Sequence, residues 1–120
     1  VSSSPSLSSA TGSVRIKLGS TIIASSIDSS LLALSNNYFS AEISVTCRSV
    51  GTSGTVYTQG RTLIASTTGI TTASMRQLVS VAPVVINTTI AAPLSATYQW
   101  GAASTSNSVT STNTFVEVLK

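Results

Sequence analysis

Histidine is absent from this chain of 120 residues, and other chemically active residues are scarce: one cysteine, Cys47, and three acids, Asp28, Glu42 and Glu117. General acid–base catalysis, nucleophile activation and metal binding all draw on His, Cys, Asp, Glu and Lys. A chain nearly without them is not expected to be an enzyme, and no cofactor or metal is expected. One cysteine excludes an intrachain disulfide. No apolar run reaches 18 residues and no signal-peptide pattern is present, so membrane insertion is not expected. Charge is also scarce, at 8% of residues against about 25% in an ordinary soluble domain. The six cations, Arg15, Lys17, Arg48, Arg61, Arg76 and Lys120, are scattered, and only Arg15 and Lys17 are close. Nucleic-acid binders gather such residues on one face with interleaved aromatics, so no nucleic-acid partner is expected.

What remains is a normal core load, 42% hydrophobic, in a chain that is more than a third Ser and Thr. The length suits one domain that buries roughly 65% of its unfolded surface. A surface of hydroxyls and amides with few charges is poorly protected against association. It points to burial in an obligate oligomer, or to an uncharged extracellular surface. The chain opens at Val1 with a Ser-rich lead, as expected of a processed product or a fragment. Residues 1–12 have linker composition and read as a flexible lead or shaft remnant, with one domain over 13–120.

The periodicity is two throughout. Val14, Ile16 and Leu18 alternate with Arg15 and Lys17, and a Gly19-Ser20 turn returns the chain through Thr21–Ala24. The clearest strand is Tyr38–Arg48: Phe39, Ala41, Ile43, Val45 and Cys47 share one face, and Ser40, Glu42, Ser44, Thr46 and Arg48 share the other. This parity predicts Cys47 as a small core residue, and Glu42 as an outward acid paired with an Arg. The reversal Val50–Thr55 leads into a Thr-rich strand whose hydroxyls suit the wet side. Gly60 within it predicts a bulge or a close backbone approach. Leu31–Leu34 reads as a short strand or one helical turn, and Ala73–Leu78 is the only other segment able to sustain a turn of helix. Pro83 breaks the apolar stretch Leu78–Ile86. Leu94–Trp100 and Val109–Leu119 complete the pattern. About eight short strands with polar joints predict an all-β, antiparallel, jelly-roll-like sandwich with little or no helix.

No catalytic motif is present. Gly51-Thr52-Ser53-Gly54 lacks the spacing of a nucleophile elbow, and Lys17 and Lys120 lie near the chain ends. The three acids are too dispersed for a glycosidase pair or a calcium loop. Asn87-Thr88-Thr89 fits the N-glycosylation triplet. Recognition remains, because Tyr and Trp supply stacking faces while Ser, Thr, Asn and Gln supply neutral hydrogen bonds. Tyr98 and Trp100 share parity with Leu94 and Ala96 and read as core aromatics. The loops Gly51–Gly54 and Ala102–Asn107 are the better contact surfaces. Candidate contact residues are Thr52, Ser53, Tyr57, Ser104, Ser106 and Asn107.

The stretch from Val45 through Arg48, Gly51 and Gly54 to Tyr57 and Gly60 resembles the central hairpin of small β-rich heads on viral and phage fibres. The stretch from Leu94 through Tyr98, Trp100, Ser104 and Asn107 to Val109, closing with Phe115–Leu119, resembles their last two strands. The resemblance implies a tumour-necrosis-factor-like jelly-roll head that assembles as a homotrimer on the virion surface and attaches to a host-surface receptor or glycan. It carries no catalytic residue across. The alternatives are a structural capsid or decoration protein whose contacts are all with other subunits, and an extracellular carbohydrate-binding module.

Overall fold

The structure, a computed structural model, describes residues 2–4, 10–26, 29–31, 37–65, 73–80, 82–101, 103, 108–111 and 113–118. Among these there is no helix, and the strands are β1 (Ser2–Ser4), β2 (Ala10–Leu18), β3 (Thr21–Ser25), β4 (Ser29–Leu31) and β5 (Asn37–Ser49). They continue with β6 (Gly54–Ala65), β7 (Ala73–Val79), β8 (Val84–Ile86), β9 (Leu94–Trp100) and β10 (Ser108–Thr110). All pairing is antiparallel, in two sheets that pack as a β-sandwich. The larger sheet runs β10-β1-β5-β6-β7, with β8 on the same edge of the ladder as β7, further along β6. In the smaller sheet β2 is central, with β9 along one edge and β3 and β4 sharing the other.

The expected N-terminal hairpin forms, with Leu18 opposite Thr21 and Gly19 at φ +59° in the turn. A register shift at Ile16/Lys17 places an extra residue on β3. That bulge lets the consecutive residues Ile23 and Ala24 both be buried, which strict alternation forbids. The other long hairpin joins β5 and β6 from Phe39↔Ile64 to Cys47↔Val56, with a shift before Ser49↔Thr55. Thr88 grips its tip: its Oγ1 accepts from Gly51 N (2.8 Å), and its own N–H donates to Gly51 O (3.0 Å). Gly60 pairs with Ile43 without a bulge, and a Cβ there would meet Glu42 O and, at 2.8 Å, Ile43 Cα. The close approach is the reason for glycine at this position.

Val14, Ile16, Ile23, Ala24, Phe39, Val56 and Leu78 form the buried core, and Leu18, Ile43, Val45, Val84, Ile86, Tyr98 and Trp100 pack against it. Phe39 meets Tyr98 edge-on at 5.8 Å between centroids, and Tyr98 meets Trp100 at 4.8 Å. Two threonines lie inside this core rather than on the wet side. Thr58 and Thr62 are fully buried on the inner face of β6, because the parity that places Val56 inward carries them with it. Thr58 Oγ1 donates to Ile23 O across the sandwich at 2.7 Å, and Thr58 N donates to Ser80 Oγ at 3.0 Å.

Several sequence expectations are corrected. Cys47 is exposed although its register partner Val56 on β6 is buried, so the cover over the inner face does not reach sideways from β6 to this end of β5. Ala73–Val79 is a strand, not a helical turn: the free edge of β6 offers a ladder from Gln59 to Ala65, which outweighs a weak local helix preference. The final strand is short, with β10 ending at Thr110 and residues 113–118 outside any ladder. At the start, Ser2–Ser4 pairs with both β10 and β5, and β2 begins at Ala10, ahead of the expected Ser13. Of the ambiguous segment Leu31–Leu34, Leu31 ends β4 and the rest lies outside the described residues.

Candidate functional site

Three of the six sequence-predicted contact residues lie among the described residues, Thr52, Ser53 and Tyr57. Thr52 and Ser53 are exposed at the tip of the β5–β6 hairpin. Tyr57 lies on β6, half-buried, opposite Thr46 on the outer face of the larger sheet. Ser104, Ser106 and Asn107 lie outside the described residues. Asn87 forms a local turn, its Oδ1 accepting from Thr89 N at 2.9 Å and Thr89 Oγ1 at 2.6 Å.

Two open grooves lie on the outer faces of the sheets. The smaller, of about 400 Å³, runs over Ser40, Glu42, Arg61, Leu63 and Met75 on the larger sheet. There Arg61 Nη2 donates to Glu42 Oε2 at 3.1 Å, the outward pairing that parity predicts. Both side chains are solvent-exposed, so the pair contributes little beyond neutralising the groove.

The larger groove, of about 910 Å³, follows the β2–β9 ladder and is lined by Arg15, Lys17, Thr97, Gln99, Trp100 and Ala103, with Tyr98 also at its wall. Its polar lining follows from register. Arg15 pairs with Thr97, Lys17 with Ser95 and Ser13 with Gln99, so these side chains share the face opposite buried Val14 and Ile16. Tyr98 faces the other way, and its hydroxyl is buried over Gly12, where a Cβ would stand 2.5 Å from Tyr98 Cζ. Burial pushes the Tyr98 phenol up to about 12. Arg15 Nε is also buried and has no partner among the described residues.

The four strands of this smaller sheet carry two cations, Arg15 and Lys17, and no acid. The groove is therefore cationic and rimmed by a hydroxyl and an amide. The sequence signal for it was the close Arg15–Lys17 pair. Thr97 could not be placed beside Arg15 from sequence, since 82 residues separate them. Among the described residues no cluster of three or more His, Cys, Asp or Glu could hold a metal, and no helix is long and apolar enough to cross a membrane. The arrangement can bind and orient, but offers no acid–base pair or activated nucleophile among these residues. No protein-family model, curated protein or solved structure matches the chain.

Proposed function

We propose that the protein is the head domain of a viral or phage fibre, assembled as a homotrimer at the virion surface, that attaches to a host-surface receptor or glycan. One observation supports this reading, through its assembly: large apolar side chains lack cover among the described residues. Phe115, Val116 and Val118 are 80%, 67% and 82% exposed, and along the inward parity of β5 only Phe39 is buried, with Ile43 and Val45 half-buried and Ala41 and Cys47 exposed. Burying the three C-terminal side chains between copies contributes roughly 4–7 kcal/mol per protomer. Three weak receptor contacts on one axis then act together, raising avidity without any strong single contact.

Sedimentation at micromolar concentration tests the assembly, with a mass three times 12.2 kDa expected and a stable monomer refuting it. Adhesion of the labelled assembly to a panel of intact cells tests attachment. An assembly that adheres to none of them identifies a structural coat protein instead.

A further inference from the structure

We propose that the β2–β9 groove binds an acidic saccharide, one bearing a carboxylate, sulfate or phosphate, with Arg15 and Lys17 as the anion-recognising pair. The inference rests on the attachment reading and names the ligand class. Three observations carry it. The two cations project from one face of one strand, two residues apart and therefore about 6.8 Å along it. No acid occurs on any of the four strands of their sheet, so no strand residue there neutralises them, unlike Arg61 beside Glu42. The adjacent strand sets Thr97 and Gln99 beside them, supplying a hydroxyl and an amide suited to sugar hydroxyls.

Arg15 is half-buried, and its buried Nε has no partner among the described residues, so its guanidinium is already partly dehydrated. An anion at its remaining donors therefore displaces less water than at a free side chain. The planar guanidinium takes a carboxylate, sulfate or phosphate through paired hydrogen bonds, and Lys17 adds a point charge. A nucleic acid fits less well, because the site holds two cations rather than a basic track; Trp100 borders the groove and could stack a base, so single-stranded DNA is included in the test as a competitor.

The assembled protein is applied to an array of neutral, carboxylated, sulfated and phosphorylated oligosaccharides at 50 and 300 mM NaCl. Arg15→Gln, Lys17→Gln and, as a control outside the groove, Arg48→Gln are run in parallel. The expected result is binding to acidic sugars only, weakened by salt, reduced about tenfold by either groove substitution and unchanged by Arg48→Gln. Lys17→Gln keeps the test valid if Arg15→Gln perturbs folding. The responding spots identify which anionic group is read. Binding to neutral sugars alone, unaffected by the groove variants, overturns the proposal and leaves attachment intact. Adhesion to cells without any array binding does the same. Failure on both array and cells removes both readings. Equal binding to single-stranded DNA and to acidic sugars, lost together in the variants, overturns the saccharide assignment in favour of unselective charge attraction.

Discussion

Replacing Tyr98 by Phe is expected to stabilise the protein, and increasingly so at high pH. The Tyr98 ring sits between Phe39 and Trp100, while its hydroxyl lies buried over Gly12 without a hydrogen-bond partner among the described residues. A buried, unpaired hydroxyl costs about 1–3 kcal/mol in lost hydration, and deleting it forfeits only a few contacts. The expected gain at pH 7 is about 1 kcal/mol, a rise of about 0.5 M in urea midpoint. The pH dependence follows from the phenol's shift from near 10 to about 12, caused by burial. Between those values the folded protein keeps a proton that the unfolded chain releases, so this group's contribution falls as pH rises. The full linkage is about 2.7 kcal/mol. Because the residue is only half-buried, solvent screening reduces this to about 1 kcal/mol. Phe lacks the linkage, and every other ionisable residue is common to the two proteins. Urea unfolding followed by Trp100 fluorescence, at one fixed protomer concentration, should therefore show the stability gap widening between pH 9 and 11.5. A Phe variant that is less stable at pH 7, with a constant gap across pH, would show that the hydroxyl is satisfied and refute this reading.

Thr58 and Thr62 are equally buried on one face of β6, yet they should respond oppositely to Val. Thr58→Val strands the Ile23 carbonyl and is expected to cost about 1–3 kcal/mol, whereas Thr62→Val removes an unpartnered hydroxyl and should be neutral or stabilising. Equal urea midpoints for the two variants would rule out the bond across the sandwich. Gly60→Ala gains about 0.5–1 kcal/mol of chain entropy but forces a methyl against the β5 backbone at Glu42 and Ile43, an overpacking cost of about 1–3 kcal/mol. A net melting-temperature drop of about 4–8 °C is expected. An unchanged melt would mean the strands have more room there than the structure shows.

Local features were legible because local rules govern them. Alternation identified β5, Gly19-Ser20 the first turn, Pro83 the break between β7 and β8, and Gly60 the close approach. The errors arise where a distant partner decides. Ala73–Val79 has a helix-tolerant composition, but the open β6 edge makes it a strand. Thr58 and Thr62 look like surface residues until a carbonyl from the opposite sheet and the parity of Val56 place them inside. Cys47 shares the parity of Phe39, yet it is exposed while its β6 partner Val56 is buried, a difference that alternation along one strand cannot show. The groove needed two facts that sequence does not hold: that β9 lies beside β2, and in which register. With Arg15 opposite Thr97, the close cation pair gains an uncharged polar neighbour. A one-residue slip would turn Thr97 to the far face and bring Tyr98 in its place.

The same geometry accounts for the scarcity of charge. A radius of gyration of 15.4 Å exceeds the roughly 13.6 Å expected of a compact domain of this length, and the chain extends 45 × 28 × 24 Å. Seven apolar residues form the buried core among the described residues, although 42% of the chain is hydrophobic. Among the described residues several large apolar side chains lie open to solvent, Val50, Phe115 and Val118 the most exposed. A free monomer with such a surface would need dense charge to remain dispersed, and this chain has little. The two properties are compatible once copies cover one another, as in the proposed trimer, because buried surface needs no charge for solubility. The Arg15–Lys17 pair then has a different standing from the other cations. It lies on the outward face of the smaller sheet, whereas exposed Ala41 and Cys47 share the inward parity of β5 in the larger one, so charge there can serve a ligand instead of an interface. Replacing it should change what the assembly binds without changing how many copies assemble, and that separation allows attachment and assembly to be tested independently.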